Sequence, residues 1–156
     1  MAYDPNCLFC KFAKGEIPCH KIWEDDKHFA FLTIFPNTEG FTVVATKDHL
    51  PSEAFANSDQ ALSELILATK KAANLLKKAY PDVGRVGMFF EGFGVDHLHS
   101  KLFPMHGTGD MKAWAKIESP KPGTFFETYP GYLSSHDSAR MDDAKLAAIA
   151  EKIKNA

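Results

Sequence analysis

Val95-Asp96-His97-Leu98-His99-Ser100-Lys101-Leu102-Phe103-Pro104 is the most informative stretch of the chain. Read as a strand over 98–104, it alternates faces, because successive side chains of an extended backbone point to opposite sides. His97, His99 and Lys101 then share one face at spacings of about 6–7 Å, and Leu98, Ser100 and Leu102 take the other. Two imidazoles and an ammonium on one face are costly to bury unless an anion or a metal satisfies them. Histidine also suits attack on phosphorus, since its neutral ring is nucleophilic near neutral pH once a partner fixes the tautomer. A lone His-x-His is more often a solvent-facing strand edge with two incidental histidines.

Working outward, RVGMFF (85–90) reads as a strand preceding this one, and FTVVAT (41–46), β-branched and apolar, as another. KIWED (21–25) and HFAFLTIF (28–35) read as two strands joined by the polar turn residues Asp26-Lys27, with Pro36-Asn37-Thr38-Glu39-Gly40 as a loop. Residues 7–14 form a short helical turn ended by Gly15. The strongest helical signal runs from about Asp59 to Tyr80. Leu62, Leu65, Ile66, Thr69, Ala72, Ala73, Leu76 and Ala79 follow helical spacing there, Asn57 or Ser58 is placed to cap the start, and Pro81 lies just past the end. A second helix is expected over about 142–154, with Asp142 and Asp143 at its N-terminus and Leu146, Ile149 and Ile153 as its apolar stripe. Residues 107–140 are irregular and rich in Pro and Gly, as a functional flap or an interface arm would be. Five strands with a long helix inserted after the third predict an α+β fold, an antiparallel sheet with a helix packed on it.

The chain has 156 residues, 45% apolar and 24% charged, which fits one domain with a real core. A single domain over 1–156 is expected, with its core at about 7–106 and a C-terminal extension over 107–156. A formal net charge of −2 argues against a general nucleic-acid binder, which needs a basic face. It leaves room for a small anionic ligand. No apolar run approaches the roughly 20 residues of a membrane span, and MAYDPNCLFC lacks the basic-then-apolar pattern of a secretory leader. Three cysteines, Cys7, Cys10 and Cys19, make no even disulfide framework. The expectation is a cytoplasmic protein without membrane or nucleic-acid partners.

The segment around His97 resembles the signature of the histidine triad family, His-φ-His-φ-His-φ-φ with φ apolar. The likeness extends upstream through Cys7-Leu8-Phe9-Cys10-Lys11-Phe12, Gly15-Glu16-Ile17-Pro18, Trp23-Glu24-Asp25, Ala30-Phe31, Pro36 to Gly40, Val43-Val44 and Lys47-Asp48-His49, and so covers about residues 7–106 in order. The resemblance implies a homodimer with a ten-stranded sheet across the pair. It also implies binding of purine nucleotides, and hydrolysis or transfer of nucleoside monophosphates from phosphoramidates or dinucleoside polyphosphates. The middle histidine of the signature, here His99, is then the nucleophile that carries a nucleotidyl intermediate, with His97 orienting the site. Ile34 or Phe35 is the implied place for base stacking.

The chain also departs from the pattern. Lys101 stands where the third histidine would be; it can neutralise phosphate charge but cannot accept a shared proton while charged. Phe41 replaces a histidine after the loop glycine, Thr33 an aspartate that holds the ribose, and Phe90 an asparagine. The loop Gly92-Phe93-Gly94 is short and lacks the family's Gln and Ser/Thr donors. His106 is the candidate to compensate in part, although a loop histidine needs no such role. Nucleotide contacts are accordingly expected from Thr33, Ile34, Phe35, Lys101 and His106.

Cys7-x-x-Cys10 has the spacing of a zinc knuckle, and thiolates with imidazoles favour tetrahedral zinc. The resemblance to bacterial members adds His49 and His97 as the other two ligands of a structural zinc; two ordinary buried thiols are the alternative. No organic cofactor is expected. Cys19, His20, His28 and His136 read as structural or surface residues, and most of Phe29, Phe31, Phe35, Phe41, Phe89 and Phe90 as core. Three functions remain open: a nucleotide hydrolase or transferase, a nucleotide-binding module that has lost efficient catalysis, and a purely structural zinc domain.

Overall fold

The computed structural model describes residues 2–36 and 38–110 and the single positions 112 and 144. Helix α1 spans Leu8–Lys14, strand β1 His20–Glu24, β2 His28–Leu32 and β3 Thr42–Thr46. After a 3-10 turn at Ala54–Ala56 come helix α2, Asp59–Ala79, and strands β4, Arg85–Phe89, and β5, His99–Met105. The strands form one sheet in the order β1-β2-β3-β5-β4, every neighbouring pair antiparallel. This is the α+β architecture expected from the pattern of elements. Two compact units divide the chain, Met1–Trp114 and Ala115–Ala156. The helix expected over 142–154 and most of the irregular segment 107–140 lie outside the described residues; Ala144 itself is helical.

Each central strand is apolar on both faces, and β5 sorts them. Leu98, Ser100 and Leu102 face α2 together with Ala30 and Val44, against Leu65, Ala68, Ala72 and Leu76 of the helix. Phe29, Phe31, Val43 and Ala45 face the other way and are covered by Cys7, Phe9 and Cys10 of the N-terminal segment. Phe29 is fully buried; truncating such a ring to alanine costs roughly 3–5 kcal/mol.

Helix α2 starts where the Ser58 hydroxyl accepts a hydrogen bond from the Ala61 amide, a satisfied N-cap with Asp59 in the first turn. Its buried stripe is narrower than the spacing suggested, since Ile66 is about half exposed. Helix α1 ends at Gly15, whose φ of +74° closes it with a left-handed cap. Strand β2 stops at Leu32, not at Phe35. The Thr33 hydroxyl accepts from the Phe35 amide, turning the chain out of the sheet and leaving Ile34 and Phe35 exposed. The strand end expected at Phe35 is thereby corrected.

Candidate functional site

His97, just before β5, and His99, its first residue, are both buried, on the sheet face covered by α1. The His99 ring packs edge-on to Phe9 at 5.3 Å. His99 Nδ1 lies 2.6 Å from the carbonyl oxygen of His97. A carbonyl only accepts, so Nδ1 carries the hydrogen and Nε2 keeps the ring's lone pair. Burial pushes the His99 pKa below its ordinary value, against the raising effect of that hydrogen bond. The ring is therefore neutral near pH 7, the form a nucleophile needs.

His99 lines a cavity of about 640 Å³. Its walls are mainly apolar and aromatic: Phe9 and Phe12 from the α1 side, Phe31 and Val43 from the sheet, Phe41 and Phe93 from loops. Thr33, Ile34, Phe35 and Lys101 lie on it. None of the described lining residues is a carboxylate, although Glu91 stands directly behind the lining Lys101. Cys19 and His20, expected to be structural or surface residues, also line it. Their position next to β1 follows from the sheet order, which the sequence pattern leaves open.

Lys101 is ion-paired with Glu91, and both side chains are largely withdrawn from solvent. Burial pushes the Lys101 amine below the usual lysine value, while the adjacent carboxylate favours the charged form. Antiparallel pairing sets Phe89 of β4 opposite Lys101, and Glu91 follows two residues later. Phe90 packs on the α2 side of the sheet, not in the cavity.

His106 is elsewhere. Its Nδ1 is 3.0 Å from an Asp82 carboxylate oxygen and its Nε2 3.1 Å from the Glu39 carbonyl, with Tyr80 packed against the ring. It is not among the residues that line the cavity, although a nucleotide contact was expected of it. The cause is length: β5 continues to Met105 and carries the residue past the cavity.

His97 does not line the cavity either; its ring turns the other way. The donor atoms of Cys7, Cys10, His49 and His97 all lie within 4.8 Å of one another. Cys7 Sγ is 3.4 Å and Cys10 Sγ 3.6 Å from His97 Nδ1, and Cys10 Sγ is 3.4 Å from His49 Nδ1. Zinc bonds of about 2.3 Å to sulfur and 2.0 Å to nitrogen give tetrahedral S···N edges of roughly 3.5 Å, so the four donors fit zinc. His97 Nε2 is 2.7 Å from the Thr46 carbonyl, which fixes the hydrogen on Nε2 and turns the lone pair of Nδ1 to the sulfurs. Burial pushes the His97 pKa down to about 4, keeping it in the neutral form a metal requires. Burial likewise raises the Cys10 thiol; a bound cation would reverse that by stabilising the thiolate.

The HIT domain profile matches residues 14–108. "Protein hit" of Bacillus subtilis is 31% identical over 109 residues, 67% of this chain and 74% of the relative. "Adenosine 5'-monophosphoramidase HNT1" of Candida albicans is 32% identical over 160 residues, 94% of this chain and 100% of the relative. Among solved structures, SMU.412c from Streptococcus mutans superposes with a TM-score of 0.67 at 26% identity, covering 99% of this chain and 87% of that one.

Proposed function

Because the chain belongs to the HIT domain family, we propose that it is a nucleotide hydrolase or nucleotidyl transferase. Its substrates are nucleoside phosphoramidates or dinucleoside polyphosphates, and it works through a nucleotidyl intermediate on His99. One observation carries this reading: the His97 carbonyl holds the hydrogen of His99 on Nδ1, leaving Nε2 as a neutral nucleophile in a residue that lines a large cavity.

In the first step the Nε2 lone pair attacks the α-phosphorus, the bond from phosphorus to the leaving group breaks, and that group departs with its electron pair. In the second step water attacks phosphorus and the P–Nε2 bond breaks, releasing the nucleoside monophosphate and restoring neutral His99. The Lys101 ammonium favours the charge that develops on the phosphoryl oxygens. Apolar walls suit a purine base, with Ile34 and Phe35 exposed for stacking and the Thr33 hydroxyl near the sugar. His97 is a positioning residue, acting through its carbonyl.

Cys7, Cys10, His49 and His97 would hold a zinc ion, which supplies a structural anchor for the segment leading into β5. The same reading includes a homodimer, with β4, an edge strand whose Met88 is exposed, pairing across the two chains to give ten strands. It also includes a reducing, cytoplasmic setting; the three cysteines are free, and no described helix is long and apolar enough to cross a membrane. The whole chain acts as one domain with its extension.

A second reading, a nucleotide-binding module with weak catalysis, draws on Lys101 standing in the place of a third histidine and already being paired with Glu91. Release of AMP from adenosine phosphoramidate and from diadenosine tetraphosphate, compared for the native protein and His99→Ala, separates the two. Release that vanishes in His99→Ala supports the enzyme. No release by either protein, with AMP still raising Tm of the native one, supports the binding module. Equal release by both refutes the assignment of His99.

A further inference from the structure

An amine bound to phosphorus leaves as an unstable amide anion unless it is protonated as the bond breaks, so a phosphoramidate site needs a proton donor beside the leaving group. Besides His99, the described cavity lining offers four side chains with a transferable hydrogen: Cys19, His20, Thr33 and Lys101. The first two stand at or just before β1, three strands away from β5, or roughly 14 Å at about 4.8 Å per strand. Thr33 follows β2, two strands from β5, and a neutral hydroxyl is a very weak acid. Lys101 lies on β5 itself, two residues from His99 on the same face, at a Cα separation of about 6–7 Å. It alone combines acidity with reach to a group attached to the phosphorus that His99 attacks.

Its carboxylate partner is built in. Glu91 precedes Gly92, which has φ +62° and whose added Cβ would come within 2.7 Å of the Ser52 carbonyl oxygen. Further along the loop, Asp96 accepts a hydrogen bond at 2.9 Å from the Ser52 amide. Close packing of Gly92 on Ser52 and the Asp96 hydrogen bond to the same residue hold the loop that follows Glu91. The pairing also has an electrostatic consequence. Glu91 beside it lowers the net positive charge that Lys101 presents to a polyphosphate leaving group.

We propose that Lys101, aimed by Glu91, is the general acid for the leaving group and that the natural leaving group is an amine and not a polyphosphate. The assignment rests on the His99 reading above. As Nε2 attacks, the P–N bond breaks and the departing nitrogen takes a proton from the Lys101 ammonium. The neutral Lys101 amine then removes a proton from the water that attacks phosphorus, regaining its charge as the P–Nε2 bond breaks. One water is consumed, and one amine and one nucleoside monophosphate are released. Lys101 is a catalytic residue in this scheme and Glu91 a positioning residue.

The test uses two AMP derivatives: an alkyl phosphoramidate, whose amine needs a proton to leave, and the p-nitrophenyl ester, whose phenolate does not. The full chain is assayed as native protein, Lys101→Ala, Lys101→Arg, Glu91→Gln and His99→Ala. For Lys101→Ala, the loss of kcat on the amide should exceed the loss on the ester by about 100-fold or more, the usual contribution of general acid catalysis. Lys101→Arg keeps the charge but not a transferable proton, so it should be as slow as Lys101→Ala on the amide. Glu91→Gln should fall in the same direction by a smaller factor. Equal losses on both substrates, or native rates in Lys101→Arg, would overturn the acid role and leave His99 untouched. Native turnover of diadenosine tetraphosphate as fast as the amide would overturn the leaving-group assignment. Undiminished turnover of both derivatives by His99→Ala would instead remove the reading on which the proposal stands.

Discussion

The carbonyl oxygen of His97 accepts a hydrogen bond from His99 Nδ1 at 2.6 Å, while the ring of the same His97 turns its own Nδ1 to within 3.4 Å of Cys7 Sγ. One residue therefore joins the metal-fitting cluster to the candidate nucleophile, through its side chain on one side and its backbone on the other. Whatever fixes the His97 ring also limits how far its carbonyl can rotate, and that carbonyl decides which nitrogen of His99 is free.

Metal removal should for this reason lower activity as well as stability. Elemental analysis should find about one zinc per chain, the stoichiometry of a single four-ligand site. Prolonged dialysis against a chelator, or Cys10→Ser, should lower Tm and reduce turnover by about 10–100-fold, the usual penalty for loosening groups around a site. Full activity in a metal-free, folded sample would show that the cluster and the nucleophile are uncoupled.

On the opposite face of β5 a polar pair is buried in the core. Thr69 of α2 and Ser100 of β5 share a hydrogen bond at 2.7 Å, and both residues are buried. Ser100→Ala would strand the Thr69 hydroxyl without this partner, at a cost of about 1–3 kcal/mol. Thr69→Val combined with Ser100→Ala should be less destabilising than the sum of the single changes. Urea denaturation of the four proteins reads the cycle; strict additivity would mean that the two hydroxyls do not interact.

How much of this was legible in the sequence differs between fold and site. The alternation in 98–104 and the apolar runs at 28–35 and 41–46 identify strands, because strand period and composition are local properties. Ser58 and Gly15 mark helix ends through cap chemistry that is equally local. The end of β2 was not legible, since Thr33-Ile34-Phe35 has strand composition and only the bond of the Thr33 hydroxyl to the Phe35 amide turns it outward. The Glu91–Lys101 pair depends on the β4–β5 register, and the lining by Cys19 and His20 on which strand lies at the sheet edge; neither is encoded in a short window. The metal-fitting quartet joins α1, the segment after β3 and the segment before β5. Its cysteine half was readable from spacing, and its histidine half only from the family resemblance.

Gly92 offers a test of how the Glu91 loop is held. Its positive φ and the 2.7 Å approach of the Ser52 carbonyl mean that Gly92→Ala must move backbone, not merely a flexible side chain. The expected cost is about 1–3 kcal/mol, seen as a lower Tm. Turnover of an alkyl phosphoramidate should fall more than turnover of the p-nitrophenyl ester, because Glu91 shifts away from Lys101. A lower Tm with the ratio of the two rates unchanged would mean that the loop tolerates the shift without disturbing the pair.

His106 sets a pH dependence at the far end of β5. Both ring nitrogens face acceptors, the Glu39 carbonyl and the Asp82 carboxylate, and only the imidazolium can donate to both. These bonds raise its pKa, the Glu39 carbonyl contributing most, and His106 in turn lowers that of Asp82. A histidine raised above its unfolded value of about 6.5 stabilises fully below that pH. The benefit fades as pH rises through the folded value. The lowered carboxylate stabilises above its unfolded value of about 3.9 and fades as pH falls through its folded value. Both groups are solvent-accessible, so the effect is modest and salt-sensitive. Tm of the native protein should exceed that of His106→Gln between about pH 4.5 and 6.5, and the gap should close toward alkaline pH. A gap that stays constant from pH 5 to beyond the raised value would mean that the ring is held in its neutral form, with the contact to Asp82 carrying no charge.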